Sequence, residues 1–202
     1  MCWNAPVSLI TFIAGCITCI IIGIVSYKQR KYELMALSFG WIWVICMQLW
    51  EYFIWKNPNH QNMFKMAYLF NITQVILLGL IYLCFFKNQG TINRCIAFII
   101  LLFYTCYFLY QKQDRYINVK NDSGHLDYKW WNKSSYSSMV YLISLILIFL
   151  VLVRPFRWSV MTITYIILLL LLSKLFYSNS VASMWCFFAV SVPIMSYVFS
   201  LI

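Results

Sequence analysis

The chain has 202 residues, 63% of them hydrophobic and 10% charged, and a formal net charge of +10. A soluble domain of this length carries roughly a quarter charged residues, and surface-to-volume scaling leaves too much apolar area for one small core to hide. The composition therefore argues against an ordinary soluble domain and makes lipid the natural solvent. The positive charge falls in short runs between apolar stretches, with no basic face or recognition module, which argues against a nucleic-acid partner.

A membrane-crossing helix needs about 20 mostly apolar residues. Seven segments meet that requirement: 7–27, 35–55, 64–86, 94–110, 136–153, 158–177 and 182–201. The expected fold is all-α, a polytopic membrane protein built as one domain over 1–202, a bundle of seven transmembrane helices with an outer loop at 111–135. Segments of this length do not suit a membrane β-barrel, whose strands are about ten residues long.

The first segment has no positive charge before it and Lys28, Arg30 and Lys31 after it, the polarity of a retained anchor with its N-terminus outside. Ser8, Thr11, Gly15 and Thr18 form a stripe of small residues along it, which close helix packing explains. Cys16 and Cys19 form a CxxC within the same apolar run, with no second pair, so a zinc site is not expected. Cys46, Cys84, Cys95, Cys106 and Cys186 also lie in apolar runs. Buried thiols suit them better than disulfides.

The second segment holds Glu51, the one carboxylate placed within an expected span. It lies about four residues from the outer end, roughly 6 Å below the interface at helical rise. Trp41, Val44, Gln48, Glu51 and Trp55 share one helical face. A carboxylate and an amide between two indoles form a stripe expected to face the bundle interior, and intramembrane ionisable groups are functional candidates by default. In the third segment Asn71 and Gln74 share a face, with Thr73 beside them; interhelical hydrogen bonding accounts for them, and a polar pocket shared with Gln48 and Glu51 is the functional reading.

The loop after the fourth segment carries two sequons, Asn121-Asp-Ser123 and Asn132-Lys-Ser134. A third, Asn71-Ile-Thr73, lies within a span, out of reach of glycosylation. Trp130 and Trp131 precede the fifth segment, where an aromatic belt belongs. Lys174 sits near the outer end of the sixth, placed either to snorkel to headgroups or to pair with Glu51. Ser183, Trp185 and Cys186 open the seventh on the outer side, level with the N-terminus. Cys2 is therefore expected near Trp185 and Cys186, as packing or, less economically, as a soft-metal site.

Orientation follows from the short loops. Lys28, Arg30, Lys31, Lys87, Arg94, Arg154 and Arg157 cluster on one side. That side is expected to face the cytosol, with the N-terminus out and the C-terminus in. Several motifs mislead. Asp114-Arg115-Tyr116 copies a receptor triplet but follows the fourth segment, not the third. The seventh segment has Pro193 and Tyr197 at the wrong spacing for a receptor motif and no lysine for a retinal Schiff base. His60 and His125 both fall in outer loops, so no histidine-rich metal site is expected inside the bundle. No P-loop, nucleophile elbow, potassium filter or internal repeat is apparent.

Three patches carry a resemblance. Met1-Cys2-Trp3-Asn4, the Gln48…Glu51…Trp55 stripe and Ser183-Met184-Trp185-Cys186 resemble the N-terminal Met-Cys-(Phe/Trp)-Ser, second-helix Gln-x-x-Glu and last-helix Ser-x-Trp-Cys signatures of a multi-span membrane family of uncharacterised activity. That family is associated with bacteria, protists and giant viruses. Asn4 stands where that family has serine, so no role of the hydroxyl carries over. The resemblance implies a topology and marks residues without implying an activity. Richness in Ile, Lys, Asn and Tyr suggests an AT-rich genome, a giant virus being one such source.

The expected function is transport, conduction or ligand sensing through a polar pocket near the outer face. Its candidate residues are Glu51, Gln48, Asn71, Gln74, Cys2, Trp185, Cys186 and Lys174. The expected partners are the bilayer and a small-molecule or ion ligand, with no cofactor and no metal. Two alternatives stay open: a membrane-embedded enzyme using Cys2 or Cys186 with Glu51, for which no histidine base lies within a span, and a non-catalytic interaction protein.

Overall fold

In a medium without water every backbone N–H and C=O needs an internal partner, and an α-helix supplies it within a single segment. The computed structural model describes residues 4–58, 60–85, 90–110, 118–120, 126–128, 136–153, 155–176 and 187–202. The helices are α1 (Ala5–Lys28), α2 (Tyr32–Lys56), α3 (Gln61–Phe85), α4 (Thr91–Tyr110), α5 (Ser137–Leu152), α6 (Phe156–Phe176) and α7 (Val192–Phe199). Five of them, α1 to α4 and α6, are long and apolar enough to cross a membrane.

The sequence reading and the structure differ in two places. The stretch expected as one helix over 182–201 is broken among its described residues: a 3-10 turn at Ala189–Ser191 precedes an α7 of eight residues. Pro193 lies in the first turn of α7, where its missing N–H has no helical partner to lose. The stretch expected as loop at 111–135 contains a two-stranded antiparallel sheet, β1 (Asn118–Lys120) and β2 (Leu126–Tyr128), with Val119 opposite Asp127. The sequence offered a weak signal for it, because the turn-forming Asn121-Asp-Ser-Gly124 separates the two strands.

The chain order is also largely the packing order. α1 lies on α2, α2 on α3, α3 on α4 and α5, α5 on α6 and α6 on α7, while α7 returns to touch α1 and α2. The α1–α2 contact shows how small residues set this geometry. Ser8, Thr11, Gly15, Cys19, Gly23 and Ser26 are buried along α1. Ile10, Ile13, Ile17, Ile20, Ile21 and Ile24 point away and are 43–65% exposed. Thr18, expected in the stripe, is half buried, and Cys19 takes the inner place. At Gly23 a methyl group would come within 2.8 Å of the Phe39 ring, so glycine there lets the two helices approach closely. Small residues inside and isoleucines outside invert the pattern of a soluble protein, and an apolar exterior of this extent suits acyl chains.

The centre of the bundle is aromatic. Trp41 is fully buried, its Nε1 donates to the Ala189 carbonyl at 2.7 Å, and its ring meets Phe149 edge-on at 6.4 Å. Phe149 in turn meets Tyr82 at 5.3 Å. This one cluster ties α2, α3, α5 and the segment before α7 together.

Candidate functional site

α2 and α3 run antiparallel, and three contacts set their register. Gly40 lies against Leu78 and Ile81, the Trp43 Nε1 donates to Thr73 Oγ1 at 3.0 Å, and the Trp50 and Phe70 rings are 5.3 Å apart. This register places Gln48 level with Asn71, in the half of the bundle nearer the α2–α3 turn. Gln48, Glu51 and Gln74 are fully buried and Asn71 is 2% exposed. Glu51 lies five residues before the end of α2, about 7 Å along the helix axis from it.

The four side chains are held differently. Gln74 Oε1 accepts from the buried Tyr141 hydroxyl of α5 at 2.7 Å, while its Nε2 has no hydrogen-bond partner. Asn71 Oδ1 also lacks one. Beside them, Tyr104 of α4 donates to the Ile72 carbonyl at 3.0 Å, so two tyrosines from two helices fix this stretch of α3. Gln48 and Glu51 are both engaged by neighbouring groups. Thr73 belongs to another contact: its hydroxyl accepts from Trp43 and donates within its own helix, and Trp43 stacks on Phe70 at 4.2 Å. In this stretch sequence reasoning missed Tyr104 and Tyr141, because an aromatic in an apolar helix looks like ordinary core until its hydroxyl is placed.

Lys174 is not a member of this cluster. It is exposed in the last turn of α6, whereas Glu51 is fully buried. A flexible lysine stem reaches the polar edge at little cost, whereas drawing the ammonium to a fully buried carboxylate would desolvate it. Cys2, Trp185 and Cys186 lie outside the described residues. Chemically, a carboxylate and three amides provide charge and hydrogen-bonding capacity for recognition. Neither carboxylate nor amide is a thiol or hydroxyl nucleophile with a base in reach.

A second locus lies at the opposite end of the bundle. A cavity of about 730 Å³ opens there between the α1–α2 turn, the ends of α3 and α7 and the start of α6. Arg30, Lys31 and Arg157 supply its cations, Glu33 its carboxylate, and Phe85, Trp158 and Phe199 much of its apolar wall. In the sequence these bases carried only a topological signal, because nothing in their spacing shows that two loops far apart in the chain share one hollow. Comparison of the chain with protein-family models, with curated proteins and with solved structures finds no match.

Proposed function

We propose that the chain is a multi-pass integral membrane protein of seven spans, with its N-terminus out and C-terminus in. On this reading it binds a small cation or polar solute in its outer half, as the recognition step of transport, conduction or ligand sensing. The topology is supported by Lys28, Arg30, Lys31 and Arg157, which gather at the α1–α2 end. The binding role rests on one observation: a carboxylate and three amides, each no more than 2% exposed, occupy adjacent helices in the same half of the bundle, with Asn71 Oδ1 and Gln74 Nε2 still lacking hydrogen-bond partners. Stranded polar atoms in an apolar interior are costly, and a cation bound there would give Asn71 Oδ1 the partner it lacks. A carboxylate close to indoles suits an ammonium or a metal monocation.

Purified protein in neutral detergent, titrated with sodium, potassium or methylammonium chloride at constant ionic strength, tests this. At least one cation should raise the unfolding midpoint. Glu51→Gln should keep the fold and lose that rise, whereas Glu51→Leu should also weaken the bundle. A wild-type midpoint that none of the three cations moves, or a Glu51→Gln variant that responds like wild type, would overturn the reading.

A further inference from the structure

The basic-end cavity is distinct from the amide cluster, and its lining sets three cationic side chains against a largely apolar wall. Arg30 and Lys31 come from the α1–α2 turn and Arg157 from the start of α6, with Glu33 as the one acidic side chain among the lining residues. Three cationic side chains against one acidic side chain leave an excess of positive side-chain charge in the hollow. Leu34, Phe85, Trp158 and Phe199 line the same space, so an occupant must be both anionic and apolar. We infer that this cavity holds the phosphate of an anionic phospholipid, with the start of its acyl chains against the aromatic wall. A volume of about 730 Å³ falls in the range of small-ligand pockets, about 300–1,000 Å³. Helix ends at the basic side are also where anionic headgroups meet a membrane protein.

The backbone at Arg30 adds an independent argument. The Arg30 N–H bonds to the Tyr27 carbonyl at 3.0 Å and the Lys31 N–H to the Ser26 carbonyl at 2.9 Å, the paired bonds of a Schellman ending. That motif needs a left-handed residue, and Arg30 takes it at φ 59°, as no other described non-glycine residue does. Glycine is the easy occupant of that position, and a residue with a Cβ is strained there by about 1 kcal/mol or more. The chain thus keeps a guanidinium at the cavity rim against the local backbone preference. Lys31 is placed just as firmly: its Nζ donates to the Ser200 carbonyl at 3.1 Å and to Ser200 Oγ at 3.2 Å, and lies 5.8 Å from the centre of the Tyr197 ring.

Stability and binding are therefore expected to separate at Arg30. The full chain in neutral detergent is titrated with dioleoylphosphatidylglycerol, dioleoylphosphatidylcholine or inorganic phosphate, and bound lipid is counted by native mass spectrometry alongside the melting temperature. Phosphatidylglycerol should bind and raise the melting temperature, and phosphatidylcholine should do so much more weakly. Arg30→Gly should melt no lower than wild type without lipid yet bind phosphatidylglycerol about fivefold more weakly. Arg157→Gln should lose a similar factor, and Lys65→Gln, an exposed cation on α3 remote from the cavity, should lose nothing. Equal binding of the two lipids, or an equal loss from Lys65→Gln, would overturn the site in favour of diffuse surface attraction. A full response to inorganic phosphate alone would overturn the lipid as the source of the anion.

Discussion

The hydrogen bond between Tyr141 and Gln74 is the sharpest point at which to perturb the bundle. Tyr141 is 2% exposed and Gln74 fully buried, and their 2.7 Å bond joins α5 to α3. An interhelical hydrogen bond in a membrane contributes only about 0.6 kcal/mol on average. Tyr141→Phe does more than delete a bond, however. Gln74 Nε2 has no hydrogen-bond partner to begin with, so losing the hydroxyl leaves the whole amide stranded in an apolar interior. Stranding a buried polar group costs about 1–3 kcal/mol, more than the bond itself contributes, so the stranding should govern. Tyr141→Phe is expected to destabilise by about 1.5 kcal/mol, and Gln74→Leu, which removes the same bond together with the amide itself, by less. Removing both partners should restore most of the loss, since apolar replacement of a whole polar pair is nearly neutral. Unfolding free energies of the four proteins, from titration in mixed micelles, give the coupling directly. A double variant whose loss equals the sum of the two singles would refute the reasoning.

Other substitutions should rank predictably. Trp158→Phe removes a 2.9 Å bond from Nε1 to the Ser196 carbonyl, but that carbonyl still accepts from Ser200 N–H at 3.1 Å; the same titration should show a cost of about 1 kcal/mol or less, smaller than for Tyr141→Phe. A methyl group on Gly79 would come within 2.6 Å of Leu101, so Gly79→Ala should cost about 1–3 kcal/mol through overpacking. Adding Leu101→Ala should then cost less than it does alone, and a neutral Gly79→Ala would show that α3 and α4 are not in tight contact. Cysteines introduced at the exposed positions 28 and 57 report topology: over the wild-type background, a membrane-impermeant maleimide should label Asn57→Cys from outside intact cells and Lys28→Cys only after permeabilisation. The reverse pattern would invert the proposed orientation.

Composition and hydrophobic run length were enough to establish an all-helical chain with helices apolar enough for a membrane, because a run of about 20 apolar residues has few other stable forms. Ser8, Thr11 and Gly15 of the α1 stripe were legible because small residues at helical spacing have few uses besides close packing; Cys19 in place of Thr18, and the continuation of the buried face through Gly23 and Ser26, needed coordinates. The inward face of Gln48 and Glu51 followed from helical periodicity. Periodicity stops at one helix, however. That Tyr141 lies on Gln74, that Lys174 is exposed while Glu51 is buried, and that the α1–α2 turn shares a hollow with the start of α6 are properties of how helices pack. The break before α7 likewise depends on tertiary contact, since the Ala189 carbonyl is held by Trp41 from α2. Run length and spacing are local quantities that one strand of sequence contains in full. Which polar atoms meet across helices depends on rotations and depths that the whole bundle settles together.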